Sequence, residues 1–456
     1  MSAIPGSLHT DEGPPMTVPL RHFLVGLCFL LAGLGVGLAL AAGVVPGRAR
    51  LAHVHLLLAG WIGVTIMGAM TQFVPVWSGT ALYSRRLASL QLALVALGLA
   101  GFATAMVLGA TAALVGFGSL LAVGFLTFVY NVGRTLAGLD EYDVTERHFL
   151  GALAAFLALA PLGVLLALDV ASGVLAGLAL DHAGLRGAHA TIAVFGAVVT
   201  TVYGALYQLA TMFTGTTLGP LDHRLRLVEE VTHPVGVALL AAGRLLHAPF
   251  PARLGGVLLV VAALAVAVVL ARRLWTIGVD WTPMHTRYAV AVPALVAWAL
   301  LALPAWLAAP TADASLLGAA GTGHLLLLGF VGFVVLGTLY HVVPFVVWVH
   351  RYSDRVGLEP VPMVDDLYDG RLAALDGALL SGGTAVLVLS SLQGLSAAVV
   401  GVGGALVFGG AAVFCANVVL VLRRHSPHGL DYLLLGAAAT LPAVVARRVG
   451  LVGEKQ

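Results

Sequence analysis

Two histidines separated by one residue stand at the start of a long apolar stretch of this sequence. His53 and His55 begin a run from 53 to 77 that is long enough to cross a bilayer as a helix. An ionisable side chain inside such a span is costly and usually marks a functional site. Imidazole nitrogens ligate metal ions and haem iron, or carry protons. The stretch therefore predicts metal or proton chemistry close to one membrane surface.

The same pattern occurs three times. Residues 322–345 repeat it, with His324 in the place of His55. The two copies share glycines, a polar residue and a proline at equal offsets: Gly60, Gly63, Gly68, Gln72 and Pro75 against Gly329, Gly332, Gly337, His341 and Pro344. A third copy starts at His189, which takes the place of His53, and continues through Gly196, Gly204 and Gln208. Three similar histidine-bearing helices are therefore expected.

The composition is that of a polytopic membrane protein. Of 456 residues, 60% are hydrophobic and 10% charged, with a mean hydropathy of +1.01. The net charge of +2 gives no indication of a nucleic-acid partner. The two cysteines, Cys28 and Cys415, lie inside apolar spans and form neither a disulfide framework nor a zinc motif.

Twelve apolar spans can be placed along the chain. The seventh carries Glu229, Glu230 and His233 in its first turns. A further piece, 430–446, is too short to cross and predicts an interfacial helix. The spans are 20–45, 51–79, 87–110, 112–137, 148–169, 186–214, 226–247, 253–274, 286–309, 316–350, 372–392 and 396–422.

Lysine and arginine set the predicted orientation. With the N-terminus inside, eighteen of them lie in inner segments and five in outer ones. We therefore expect a cytoplasmic tail at 1–19, a membrane domain at 20–422 and a cytoplasmic segment at 423–456. His22, His148, His223 and His350 fall in inner interfacial segments, where solvation is expected.

The repeat extends beyond the histidine helices. Arg21-His22-Phe23-Leu24 opens the first helix and Arg147-His148-Phe149-Leu150 the fifth, while Arg287-Tyr288 opens the ninth less closely. Helices 1–2, 5–6 and 9–10 are thus alike. Three four-helix units in one chain predict an all-α bundle with pseudo-threefold symmetry, in which helices 2, 6 and 10 line the clefts.

The early histidines of helices 2, 6 and 10 share one depth, just below the outer surface. Two facing imidazoles are natural axial ligands for a low-spin haem iron. His55 and His324 occupy the same repeat position and are the expected ligands. The alternative is that both bond to backbone or water near the interface.

His53 projects about 200° away from His55 on a helix and so faces another cleft. With His189 it suggests a second site, for copper or another haem. The alternative is that His53 points to water or lipid headgroups. Gln72, Gln208 and His341 lie about 25 Å towards the inner side. There they either admit protons or a quinol, or bond to helix ends and water.

Twelve helices, a threefold repeat and histidines on helices 2, 6 and 10 resemble subunit I of the haem-copper oxidase superfamily, over about 20–422. The His-Leu-Leu-Leu-x-Gly-[Trp/Phe] stretches are similar to divergent oxidase-subunit-I-like membrane proteins and to the nitric oxide reductase branch. His53-Val54-His55, followed by Pro75-Val76-Trp77-Ser78-Gly79, is similar to the His-x-His helix of haem-copper membrane proteins linked to nitric oxide resistance.

The resemblance implies one low-spin haem b held by His55 and His324, with His189 at the position of one copper ligand. It also implies a multi-pass protein of a prokaryotic plasma membrane. The sequence departs from the family at Thr322, where a high-spin haem ligand is expected, and it lacks the His-His pair of helix 7. The oxygen-reducing centre is therefore expected to be incomplete, and no catalytic residue is assigned.

Two functions follow from these observations. The first is a b-type haem protein that transfers electrons or handles oxygen or nitric oxide, with a separate protein or a quinol as electron donor. The second is a transporter or sensor without a redox centre, whose intramembrane histidines bind protons or a metal ion.

Overall fold

The computed structural model describes residues 13–46 and 48–435, and within these ranges it is helical and contains no β-strand. Twelve long helices and one short one run through the described residues. They are α1 (Thr17–Ala41), α2 (Ala49–Ser78), α3 (Arg85–Leu108), α4 (Thr111–Leu136), α5 (Val144–Ser172), α6 (His182–Thr214), α7 (Pro220–Leu245), α8 (Pro249–Trp275), α9 (Pro283–Ala308), α10 (Leu325–Arg355), α11 (Gly370–Gln393), α12 (Ala397–His425) and α13 (Leu430–Leu435).

Eleven of the long helices are apolar and long enough to cross a membrane, and α7 is not one of them. Its sequence includes Asp222, Glu229 and Glu230, and the first two of these carboxylates are buried inside the protein. The prediction of a multi-pass helical membrane protein is confirmed. The count of twelve spans is not, because the seventh helix carries too many charges among its apolar residues.

Neighbouring helices are joined by short connections, and capping residues fix where each helix begins and ends. Asp143 caps α5 by accepting the backbone N–H of Glu146 at 2.9 Å, and the Glu146 carboxylate accepts the N–H of Asp143 at 2.7 Å. At the other end, Gly173 takes a left-handed conformation, with φ of +65°, that ends the helix. Because the caps are local in sequence, these boundaries follow closely from residue type.

The three histidine helices share an unusual feature. Each contains eight residues of π-helix, at Leu56–Gly63 in α2, Ile192–Val199 in α6 and Leu325–Gly332 in α10. The π segments start directly after His55 and His324, and directly after Thr191, which the repeat aligns with them. All three copies therefore change helical pitch at the same repeat position.

The helices pack largely in chain order, α12 packs on α1, and α6 contacts α2 along their π segments. We call α2, α6 and α10 the central helices and name three groups of helices after them. The first cleft refers to α10, α11, α12, α1 and α2; the second to α2, α3, α4, α5 and α6; the third to α6, α7, α8, α9 and α10. The residues that precede the π segments lie at one end of the bundle, which we call the histidine end.

Glycines near the opposite end bring each central helix against the start of the preceding one. A Cβ on the glycine would lie 2.6 Å, 2.4 Å and 3.1 Å from the Cβ of a histidine or arginine in the three contacts Gly68–His22, Gly204–His148 and Gly337–Arg287. The close approach needs glycine in each case. These contacts align Arg287 with His22 and His148, one residue off the sequence match.

The chain ends lie partly outside the described residues. Only residues 13–19 of the expected N-terminal tail are described, and α1 already begins at Thr17. The expected helix at 430–446 is present at its start as α13, where the Leu433 carbonyl accepts a hydrogen bond from Arg21 at 2.8 Å. Residues 436–456 lie outside the described part.

Candidate functional site

His53 faces α1. Its Nδ1 lies 2.7 Å from the carbonyl oxygen of Gly33, and its ring fills the space where a side chain on Gly37 would be. A Cβ on Gly37 would lie 2.7 Å from Cε1 of the imidazole. When Nδ1 donates its proton to a carbonyl, Nε2 is left with a free lone pair. His53 is thus held in the tautomer that a metal ligand needs.

His55 faces the other way, towards α3. Its Nδ1 lies 2.8 Å from the carbonyl oxygen of Leu51, one turn earlier in the same helix. Its ring meets Phe102 edge to face, with centroids 5.3 Å apart. Nε2 is again the free nitrogen. The opposite projection of the two α2 histidines, expected from their spacing, is therefore observed.

His189 and His324 complete two pairs. His189 lies against α5, with Cε1 3.1 Å from where a Cβ on Gly163 would stand, and its buried Nδ1 has no hydrogen-bond partner. The imidazole of His189 is within electrostatic range of His55, and that of His324 is within range of His53. His324 therefore has His53 as its electrostatic neighbour, and His189 has His55.

This arrangement differs from the one that the repeat alignment predicted. The alignment paired His55 with His324 because they share a repeat position. The electrostatic neighbour of His324 is His53 and that of His189 is His55, so the pairing of His55 with His324 stays a prediction. All four histidines belong to the candidate site, but they are grouped by cleft and not by repeat position.

The third cleft has threonines where the other two have histidines. Thr191 stands at the His55 position of α6 and Thr322 at the His53 position of α10. The Thr191 hydroxyl donates to the Gly187 carbonyl at 2.7 Å and accepts from Arg244 at 2.7 Å. Neither hydroxyl is a good axial ligand for haem iron. The site of the expected high-spin haem therefore has a different chemistry.

Arg244 and two tryptophans fill this third cleft. The guanidinium of Arg244, only 2% exposed, also donates to the carbonyls of Pro310 at 3.1 Å and Ser315 at 2.9 Å. Trp298 and Trp306 are buried beside it, with ring centroids 5.6 Å apart. Backbone carbonyls accept hydrogen bonds from the guanidinium, and the indole rings pack beside it, so this cleft is a packed core.

His233 has a structural role. Its Nε2 lies 3.0 Å from the carbonyl oxygen of Phe195 and 2.9 Å from the hydroxyl of Thr200, both in or next to the π segment of α6. It thereby contacts backbone that the wide π turn exposes. Among residues 13–46 and 48–435, no group of three or more His, Cys, Asp or Glu side chains is arranged to hold a metal ion.

A buried polar cluster near the opposite end was missed by the sequence reasoning. Glu229 is fully buried, accepts a hydrogen bond from Tyr207 at 3.0 Å, and lies 3.0 Å from Nε2 of His148. The expectation that His22 and His148 are solvated is wrong, since both are buried. Their close contacts with repeat glycines hold them inside the bundle.

A second cluster of the same kind joins α9, α10 and α11. The buried carboxylate of Asp376 pairs with Arg287 and accepts a hydrogen bond from Tyr340. Tyr207 and Tyr340 stand at the same repeat position, sixteen residues after Thr191 and His324. This shared tyrosine position was not used in the sequence analysis, and it is the signal that could have found both clusters.

The polar layer expected at the inner ends is less connected. Gln208 reaches the sulfur of Met212 at 3.7 Å, and the buried Oε1 of Gln72 has no partner. His341 lies between Phe213 and Phe345, with a centroid distance of 4.4 Å to Phe213. An apolar cavity of about 30 Å³ adjoins it, which is room for a single water molecule at most.

No model of a known protein family matches this sequence, and no curated protein matches it. A solved structure does: the chain is similar to a haem-copper terminal oxidase dimer determined by cryo-EM, with a TM-score of 0.62 over 95% of this chain and 91% of that one. The sequence identity is 13%, so the likeness is one of fold. This chain is a multi-pass membrane protein with the fold of a haem-copper terminal oxidase.

Proposed function

We propose that this protein is an electron-transfer protein of the haem-copper oxidase superfamily, holding a low-spin b-type haem between His53 on α2 and His324 on α10. The observation that carries the proposal is the state of His53. Its Nδ1 is bonded to the Gly33 carbonyl, its Nε2 is free, and its histidine neighbour across the cleft is His324. Two imidazoles on different helices are the ligand set of a six-coordinate haem.

The residues around the first cleft fit such a group. Gly33 supplies the carbonyl that orients the ring, and Gly37 leaves the space that the ring occupies. Gly404 on α12 and Leu38 on α1 approach closely in the same cleft wall. Small and apolar residues of this kind leave a flat macrocycle room between helices. When bound, the haem would supply a reversible one-electron iron couple.

Electron transfer is favoured over gas reduction by the third cleft. Reduction of oxygen or nitric oxide needs an iron or copper with an open position. Here the place of that centre holds Thr191, Thr322 and Arg244, with Trp298 and Trp306 packed between them. A bis-imidazole haem has no open position, so the protein passes electrons on.

The finer features of the fold are part of the proposal. Three four-helix repeats arranged with pseudo-threefold symmetry would explain why the π segments and the glycine contacts recur. The distribution of lysine and arginine supports an orientation with both termini in the cytoplasm and the histidine end at the outer face. The membrane of the proposal is a prokaryotic plasma membrane. The electron donor would be a separate protein or a quinol.

The test is the absorption spectrum of the purified protein and of three variants. The wild-type protein should show a reduced-minus-oxidised b-type spectrum and should not bind carbon monoxide. His53→Ala and His324→Ala should each lose the haem of this cleft. His350→Ala is the matched control, because His350 is exposed and lies near the opposite end.

A colourless wild-type preparation would refute the proposal and leave the transporter or sensor function. Stoichiometric binding of carbon monoxide would show an open iron position and restore gas chemistry. Retention of all haem in both variants would show that His53 and His324 are not its ligands.

A further inference from the structure

A second pair of histidines faces a cleft of its own. The helices α2 to α6 pack in sequence, and α6 returns to contact α2 along their π segments, so the five enclose one space. His55 points into it from α2 and contacts Phe102 of α3. His189 points into it from α6 and contacts Gly163 of α5. The two imidazoles are electrostatic neighbours.

Both rings are ready to bind a ligand. Nδ1 of His55 is hydrogen-bonded to the Leu51 carbonyl, which leaves Nε2 free. His189 makes no protein hydrogen bond through its buried Nδ1. An unpartnered polar atom in a buried place is costly unless something satisfies it. Two imidazole nitrogens, Nε2 of His55 and Nδ1 of His189, are therefore available to one ligand.

The number of ligands selects the class of that component. A bare copper or zinc ion in a protein takes three or four side-chain ligands. The described residues offer only these two at the cleft, since no cluster of three His, Cys, Asp or Glu side chains occurs among them. A haem brings four nitrogens of its own and needs two axial ligands. Two imidazoles on separate helices suit a haem and not a free ion.

The walls of the cleft suit a flat apolar ring with a charged edge. Phe102 lies beside Gly118 of α4, and Phe125 stacks on Phe156 with centroids 5.2 Å apart. At the histidine end, the guanidinium of Arg48 reaches the turn between α3 and α4, near Gly109. Carboxylates on the edge of a macrocycle would meet a cation at that end.

We infer that the cleft between α2 and α6 binds a second bis-imidazole haem, with His55 and His189 as its axial ligands. The inference rests on the proposed function, because the two sites share α2 and the same cofactor class. His53 and His55 are separated by one residue, so the two haems would lie on opposite faces of one helix. Both would lie at the histidine end, and electrons would pass along that end and not across the membrane.

The experiment is a count of haems per chain by the pyridine haemochrome assay, with size-exclusion elution as the check of folding. We expect two haems in the wild-type protein and in the His350→Ala control. His55→Ala and His189→Ala should each retain one, and so should His53→Ala and His324→Ala. The double variant His53→Ala/His189→Ala should retain none, because each cleft then lacks a ligand.

Two further variants keep the test valid if an alanine variant fails to fold. His189→Gln preserves size and polarity at α6, and Gly163→Val fills the space beside His189 without touching a ligand. Each should also reduce the count from two to one. Low-spin signals in electron paramagnetic resonance should lose one component in these variants and the other component in His324→Ala.

The outcomes separate the inference from the proposed function. One haem in the wild-type protein, lost only in the His53 and His324 variants, overturns the inference and keeps the function. One haem lost only in the His55 and His189 variants supports the inference and overturns the assignment of the first cleft. Two haems unaffected by His189→Ala and His189→Gln overturn the inference, and a protein without haem overturns both.

Discussion

Substituting Gly37 by alanine should weaken haem binding at the first cleft. The new Cβ would stand 2.7 Å from Cε1 and 2.8 Å from Nδ1 of His53. Carbon atoms in contact are about 3.5–4.0 Å apart, so the ring must move by roughly 1 Å. That movement takes Nδ1 away from the Gly33 carbonyl. The bound haem, in contrast, requires the ring to stay in place.

The expected size of the effect follows from these two contacts. Overpacking of this kind costs about 1–3 kcal/mol, and the lost hydrogen bond adds about 0.5–1.5 kcal/mol. In the apoprotein the ring can turn away and relieve the strain, so most of the cost falls on the bound state. At about 1.4 kcal/mol per factor of ten, the Kd for haem should rise by roughly 10- to 1000-fold.

Gly35→Ala is the matched control for this experiment. Gly35 lies on the same helix, and a Cβ there would meet nothing within 4 Å. Both substitutions gain about 1 kcal/mol of helix propensity, which cancels in the comparison. Haem is titrated into apoprotein carrying His189→Ala, so that only the first cleft contributes. Equal Kd values for the two glycine variants would refute the assignment of His53 as a ligand.

Two further predictions concern stability. Glu229→Gln should lower the free energy of unfolding by about 1–3 kcal/mol, because the buried carboxylate serves both Tyr207 and His148 and a glutamine amide can accept through one oxygen only. Glu230→Gln, in a partly exposed ion pair, should cost about 0–1 kcal/mol. Equal thermal shifts in detergent would contradict the burial argument. The backbone N–H of Gly184 and the side chain of His247 hold the pKa of Asp181, the cap of α6, below its ordinary value. The stability that this cap contributes is therefore present above the unfolded pKa, about 3.9, and is lost as pH falls through the lower, folded pKa. Asp181→Asn should therefore flatten the acid side of the stability profile, and an unchanged profile would show that the cap does not titrate.

The sequence predicted the helices well because hydropathy and caps are local properties. It fails at α7, which the sequence analysis counts as a membrane span although Glu229 and Glu230 lie in its first turns. A buried carboxylate is favourable there only because His148 and Tyr207 come from two other helices. Such partners are distant in sequence, so composition within the helix could not reveal them.

The pairing of the histidines was the other feature that the sequence could not predict. When three copies of a unit are related by a rotation, the same repeat position lies at a different, equivalent cleft in each copy. Two copies of one position therefore do not meet in one cleft. A single cleft is therefore lined by two different positions from two helices. The electrostatic neighbour of His324 is accordingly His53, although its repeat equivalent is His55. The alignment offers candidate residues and does not give their partners.

The π segments affect how the sequences of these helices could change during evolution. A wide turn holds extra residues, so it acts as an insertion that sets the two halves of a helix in different rotational phase. The half that carries His55 can then face one cleft while the half that carries Gly68 packs on α1. If the same residues adopted regular α-helical pitch, the histidines would turn by about 100° relative to the rest of α2. Ligand position and helix packing are thus separately adjustable in each helix.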